Sequence, residues 1–458
     1  MNDWTGFLGG HPQAMTPNMD SLARRGVNFT NAHCVVPACS PSRLALMYGV
    51  EPFNSGLYPF YKSIQILEPE LAQFTSLPML YKKNGYQTFG AGKVHHKSEF
   101  PEEEWTESFV SKKKKLVFNA KAGYRQGRSR KLAFCPTKNP LKDHHDYQVA
   151  SFGVDVLSRE HDDPFFLAVG IVKPHLPFVC PEPYFDLYDE PIQPPAIKAD
   201  DLADVPWAGR AMSMNYIRHE RDFRQDEAWE IVRRAYLACN SWVDYNVGRI
   251  LEALAQSPYA DNTIVVLWSD HGFHLGEKRS FKKFTLWEEA TRVPFIIWDT
   301  RDGSAPLGRE CKEAVSLINV YRTLADLSGL ETPEYVDGVS LRPQLADPSI
   351  EIDEPAIITW GRGNYAIRDE DWRYIRYFDG SEELYSHQDD PNEWNNLAEM
   401  SEHEATKRYL ASFLPEHEAP LIRTGIGLWN SVDADQPDLE KTKSIWAEIN
   451  ETLTPPLD

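Results

Sequence analysis

The sequence predicts an α/β fold: a large, mainly parallel sheet sandwiched by helices, with a smaller C-terminal α+β domain. Three observations carry that prediction. Short apolar runs such as Phe165–Val169 and Thr263–Trp268 have the composition of strands buried on both faces. They alternate with segments of helical periodicity, the pattern of a sheet covered by helices. After Asp337-Gly338 the alternation gives way to short strand-like runs separated by polar turns.

In chain order, the first helix is signalled by Thr16 as N-cap, Pro17 at the first helical position and Gly26 as its end. Val27 to Ala32 reads as extended, and Ser42 to Tyr48 as helical. A helix around Met79 to Asn84 stops at Gly85 and leads into a strand at Gln87 to Ala91. The buried strand Phe165–Val169 comes after a charged, turn-rich stretch. A long amphipathic helix from about Asp226 to Ala255 precedes the strand Thr263–Trp268. A strand at Pro294–Trp298 and a helix at Val315–Ser328 complete this part, residues 1–350. In the second part, residues 351–458, strand-like runs lie at Ala356–Trp360, Tyr365–Arg368 and Trp372–Phe378. Asp379-Gly380 is a hairpin signal there, and a helix is expected near Glu402–Leu414.

Composition bounds the function. The chain has 458 residues, 42% hydrophobic and 25% charged, the make-up of a globular protein. No apolar stretch approaches the ~20 residues of a membrane span. The net charge of −20 argues against nonspecific nucleic-acid binding, and an anionic substrate would need a local cluster of cations. Six cysteines show neither metal-knuckle spacing nor a dense disulfide framework. Nine cations with no acid lie between Lys112 and Lys131. Such a run is ordinarily a solvated insertion, and the alternative is a surface that meets an anionic oligosaccharide. Met1-Asn2-Asp3-Trp4 has no signal-peptide character. That leaves a cytoplasmic protein, or a periplasmic or extracellular one if an upstream segment carries a signal.

Chemistry gathers where strands end, as open α/β sheets require. Gln87–Ala91 runs into Lys93, His95 and His96; Phe165–Val169 runs into His175; Thr263–Trp268 runs into Asp270 and His271. Cys39 to Arg43 sits at the start of a helix, a place that favours anions. Singly, each has a plain explanation: a small buried cysteine, an Asx-turn, a proline-stiffened connection, surface lysines at Lys282 and Lys283. Together they supply a nucleophile, a carboxylate, imidazoles and fixed cations, which is what an anionic-ester hydrolase needs.

Cys39-Ser40-Pro41-Ser42-Arg43, continued by Leu44 to Gly49, resembles the signature of type I sulfatases, Cys-x-Pro-Ser-Arg at the head of a helix. The resemblance runs through Thr16–Ala23, Gly92-Lys93-Val94-His95-His96, Lys173–Phe178, Ser269-Asp270-His271-Gly272, Asp337–Leu341 and Asp390–Leu397. It covers nearly the whole chain and is similar to the iduronate-2-sulfatase-like branch. It implies an alkaline-phosphatase-like fold and a formylglycine made from Cys39 by a formylglycine-generating enzyme. Arg43 then holds the diol, and Lys93 and Lys283 face the sulfate, with Lys282 a bystander. His175 protonates the leaving alcohol, and His96, or His95 in other branches, takes a proton from the diol. Asp270 and His271 match ligands of a calcium ion.

The family opens with an apolar strand ending in two adjacent aspartates, both metal ligands. Met1-Asn2-Asp3-Trp4 resembles the residues just after that pair. The central first strand and both carboxylates are therefore expected to be lacking from this sequence, with Asp3 one turn too late to replace them. The resemblance implies a sulfated saccharide as substrate. The alternatives are a phosphonate or phosphate ester hydrolase of the same superfamily, and an inactive truncated sulfatase that binds glycans.

Overall fold

The computed structural model describes residues 1–58, 61, 64–112, 114–125, 131–213, 217–303 and 306–422. Lys113, Arg128 and Arg130 of the basic run, and the chain beyond residue 422, lie outside the described residues.

Helix α1 (Pro17–Arg25) starts and stops where Thr16, Pro17 and Gly26 predict. The Thr16 hydroxyl does not cap its own helix; it accepts from the Gly6 amide and donates to Asp20. Strand β1 (Val27–Phe29) and the short β2 (Ala32–His33) come next, then α2 (Cys39–Tyr48), which ends at Gly49 in the left-handed conformation. After these lie α3 (Leu77–Lys83), β3 (Gln87–Gly92), β4 (Glu107–Phe109), α4 (His145–Leu157) and β5 (Phe165–Gly170). The long helix is α5 (Trp229–Gln256), and beyond it are β6 (Ile264–Trp268), β7 (His274–Leu275), β8 (Phe281–Lys282), β9 (Phe295–Asp299) and β10 (Arg309–Cys311).

The helix expected at Val315–Ser328 is shorter. Val315 and Ser316 form β11, parallel to β2, and α6 begins at Asn319 and runs to Leu327. A short apolar run before a helix has no periodicity of its own, so tertiary pairing decides its state.

The main strands form two sheets with helices packed on them. One has the order β10-β1-β9-β6, with β1 parallel to β10 and antiparallel to β9, and β9 antiparallel to β6. The other, β4-β3-β5, is wholly parallel. Its carboxyl end closes tightly: Gly92 and Gly170 lie so near each other that a Cβ on Gly92 would stand 2.2 Å from the Gly170 carbonyl. That approach lets the Lys93 amide donate to Gly170 O at 2.8 Å and fixes where Lys93 leaves the sheet.

The edge strands β5 and β6 both line a single cavity of about 1320 Å³. Composition predicts full burial for Phe165–Val169 and for the run ending at Trp268, yet every residue of Phe165–Val169 and Ile264–Trp268 is only half-buried. The physical reason is that, among the described residues, no strand pairs with the facing edges of β5 and β6.

The C-terminal part is an antiparallel meander of β12 (Ala356–Thr359), β13 (Tyr365–Arg368), β14 (Trp372–Arg376) and β15 (Glu382–Ser386), then α7 (Glu404–Ala411). The predicted Asp379-Gly380 turn joins β14 to β15, with Gly380 at φ 82°. This sheet shares its core with the α/β part: Trp360 stacks on Phe284 at 5.0 Å, and Trp287 is buried beside Ile358 and Tyr385. The Arg373 guanidinium, wholly buried, pairs with Glu393 at 2.5 Å and also with Glu288. All six cysteines are buried, and none is joined in a disulfide.

Candidate active site

Eight side chains singled out from the sequence line this one cavity: Cys39, Arg43, Lys93, His96, His175, Asp270, His271 and Lys283. Cys39 opens α2, and no side chain caps that helix end. Its first amides and its dipole therefore favour negative charge at the cysteine. Lys283 Nζ donates to Cys39 Sγ at 2.7 Å, and His271 Nε2 lies 3.3 Å from the same sulfur. Burial pushes the Cys39 thiol up, but Lys283, then Lys93 and His271, outweigh it and hold the thiol well below its ordinary value.

One turn along α2, Arg43 Nε donates to Asp270 Oδ2 at 2.7 Å, and Lys93 Nζ donates to the same oxygen at 3.0 Å. Arg43 also donates to the carbonyls of Lys93 and Val94 and stands 5.1 Å over the Trp268 ring. Burial alone would raise the Asp270 carboxyl; Arg43 and Lys93 instead hold it well below the usual range. His271 donates from Nδ1 to Gly272 O at 2.7 Å, so its Nε2 lone pair faces Lys283 at 2.7 Å. Desolvation, then the Lys283 charge, lowers this imidazole to about 4, and it is neutral at pH 7.

The two adjacent histidines part company. His95 is fully buried and bonded to Glu104 Oε2 at 2.8 Å, while His96 is half-buried and lines the cavity against Tyr61. His175 is exposed at the cavity, and its Nδ1 bonds Leu176 O at 2.7 Å. Desolvation by the surrounding protein lowers its pKa, an effect that hydrogen bonding to Cys39 partly offsets.

Sequence reasoning assigned no catalytic role to four residues that line this cavity. Lys282, set aside as a bystander, lines the cavity together with Lys131 and His219. Strand alternation would turn Lys282 away from Lys283, and only its backbone conformation reveals otherwise. Ser269 is a fourth: its hydroxyl and the His271 carbonyl accept from the Met1 amine at 2.6 and 2.9 Å, which brings the chain in beside Asp270.

A divalent cation finds few partners among these residues. Ligand atoms of Cys39, Asp270 and His271 lie within 4.8 Å of one another. Calcium takes six to eight oxygens. This cluster offers one carboxylate, one oxygen of which already receives two cationic donors. Asp3 does not add to it, being paired with Arg292 at 3.3 Å. As it stands, the set does not fit calcium.

Behind the site, Glu277 is buried, with Oε2 accepting from the Leu275 amide. Burial pushes its carboxyl up to about 7. The folded value lies above the unfolded one, so the folded state holds the proton. Stability from this group is complete below about pH 4.5 and is lost as pH rises through about 7, a change of about 3 kcal/mol. Glu277→Gln is expected to remove that loss, visible as a smaller fall in urea-unfolding free energy between pH 5 and 8 than in the wild type. Parallel profiles would reject the assignment.

Known proteins share both the sequence pattern and the architecture. The family model described as Sulfatase matches residues 3–330, and that of the N-sulphoglucosamine sulphohydrolase C-terminal region matches residues 276–419. A sulfatase of Formosa agariphila is 35% identical over 92% of this chain and 85% of its own length. Human iduronate 2-sulfatase is 28% identical over 69% of this chain, which spans 65% of that enzyme. A solved protein in complex with its substrate D-glucosamine-2-N,6-O-disulfate has a TM-score of 0.71 at 21% identity, covering 90% of this chain and 94% of that one. The phosphonate monoester hydrolase of Agrobacterium radiobacter has a TM-score of 0.73 at 21% identity, covering 90% and 92%. The last two likenesses speak to the fold, an alkaline-phosphatase-like α/β architecture with an added C-terminal part.

The chain belongs to the sulfatase family. Its class of activity is sulfuric ester hydrolysis, and the family generally implies a formylglycine and a divalent cation. No helix among the described residues is long and apolar enough to cross a membrane.

Proposed function

We propose that this chain cleaves the sulfate ester of a sulfated saccharide through a formylglycine made from Cys39. The observation that carries the reading is the placement of Cys39 Sγ at an uncapped helix start, 2.7 Å from Lys283 Nζ and 3.3 Å from His271. A hydroxyl in place of that sulfur would accept from Lys283 and donate to the His271 Nε2 lone pair, so the surroundings suit a hydrated aldehyde. When formed, that group supplies one hydroxyl to attack sulfur and a second to expel sulfate.

The chain's own residues do the rest. Lys283 places a positive charge where negative charge develops on the sulfate oxygens. Lys93 and Arg43 keep Asp270 ionised and fixed, and Lys93 lies within the same cavity to meet the sulfate. His175, at the open side, donates a proton to the leaving alcohol, and His96 takes one from the diol. Asp270 and His271 match the family's calcium ligands, but alone they offer that ion too few oxygens. A formylglycine-generating enzyme is the maturation partner. The division into residues 1–350 and 351–458 stands with these proposals.

The test is direct. After co-expression with a formylglycine-generating enzyme, peptide mass spectrometry should find Cys39 as the aldehyde. Persistent thiol, under conditions that convert another sulfatase, would count against it. An aryl sulfate turned over faster than the matching aryl phosphate supports the reading; the reverse order supports the phosphonate or phosphate ester alternative. Cys39→Ala should abolish whatever turnover is seen.

A further inference from the structure

Residues 276–284 carry unusual backbone. Gly276, Lys278, Arg279, Lys282 and Phe284 all have positive φ, Lys282 at 83° and Phe284 at 81°. In a regular strand successive side chains point to opposite faces. Here the left-handed residues on either side of Lys283 break that alternation, and Lys282 and Lys283 both line the active-site cavity. Conformations of this kind are costly for a side-chain-bearing residue and collect at functional sites.

Lys282 has company. Its Nζ stands 5.7 Å over the Phe281 ring, and the His219 ring meets the same ring edge-on at 6.4 Å. His219 and Lys131 line the cavity beside it. Burial, then the like charges of Lys283 and Lys131, bring the Lys282 ammonium down to about 7. A bound anion would relieve that repulsion.

We propose that Lys282, flanked by Lys131 and His219 around Phe281, forms a second anion subsite in the cavity. It would take a further anionic substituent, sulfate or carboxylate, of the saccharide whose scissile sulfate faces Cys39. The subsite rests on the proposed function, and it makes Lys282 a specificity residue.

Calorimetric titration of the whole chain tests it, using glucosamine 6-sulfate, glucosamine 2-N,6-O-disulfate, a 6-sulfated disaccharide carrying a uronate, and 4-nitrophenyl sulfate. The disulfate or the uronate disaccharide should bind roughly ten-fold tighter than the monosulfate, the size of one hydrogen bond to a charged group. Lys282→Gln should erase that advantage and leave the monosulfate and the aryl sulfate unchanged, while Lys282→Arg restores it. The arm that shows the advantage identifies which anion is read. Equal weakening of all ligands by Lys282→Gln, or no change, would overturn the subsite. If the aryl sulfate does not bind the wild type, and Lys283→Met changes nothing, the primary sulfate site has failed, which is a different result.

Discussion

Fusing an apolar strand of about six residues that ends in Asp-Asp directly ahead of Met1 is expected to raise the melting temperature by several degrees. The effect stems from the two facing sheet edges. Strands β5 and β6 line a cavity of about 1320 Å³ with half-buried apolar residues, and among the described residues neither facing edge has a partner. The Met1 amine lies on Ser269 and the His271 carbonyl, so an added segment would enter at the carboxyl end of β6. Each aliphatic side chain buried is worth about 1.5–3 kcal/mol, against about 1.5 kcal/mol per residue ordered. Two edges of hydrogen bonds add about 1 kcal/mol each, which leaves a net gain of a few kcal/mol. Hydrogen exchange should slow across residues 165–170 and 264–268. The aspartates, beside Arg43, Lys93 and Asp270, should add a calcium-dependent rise in melting temperature that an Asn-Asn version lacks. A lysine- and glycine-substituted strand is the control. If it stabilises as well as the apolar one, or if exchange is unchanged, the cavity is not a strand site.

Much of the site was legible because its chemistry is local in sequence. Cys39 and Arg43 share one helix turn, Asp270 and His271 are adjacent, and each comes after a strand or heads a helix that composition alone predicts. What escaped the sequence depended on pairing or on backbone sign. The half-burial of Phe165–Val169 depends on which strands neighbour it, and an apolar run reads the same at an edge as at the centre. Val315-Ser316 became a strand because β2 was there to pair with. Nothing in Phe281-Lys282-Lys283 announces the φ of 83° at Lys282, so the sequence does not show that Lys282 and Lys283 both line the cavity. His95 and His96 read alike in sequence; the Glu104 carboxylate holds His95 inward, while His96 lines the cavity.

Removing the Asp270 side chain is expected to cost the folded protein about 3–5 kcal/mol, the penalty for leaving buried charge uncompensated. Its Oδ2 is the shared acceptor for Arg43 at 2.7 Å and Lys93 at 3.0 Å, and all three side chains are about one-tenth exposed. Asp270→Ala would strand both cations next to Lys283. The pH dependence gives an independent reading. Arg43 and Lys93 depress the folded carboxyl despite its burial, so its stabilisation is present above the unfolded value near 3.8 and is lost as pH falls through the still lower folded one. The wild type should therefore resist acid to a lower pH than the variant, whose deficit should shrink toward pH 2. Asp270 also raises the Cys39 thiol, so Asp270→Ala should move the thiolate absorbance to lower pH, and Lys283→Met should move it higher. Lys93→Met combined with Asp270→Ala should cost less than the sum of the two, because the second change removes one of the stranded charges. Urea unfolding of the four proteins measures the coupling. Simple additivity, or an Asp270→Ala cost below about 1 kcal/mol, would show that the pairing is a solvated contact and that Asp270 is free to serve a metal without its two cations.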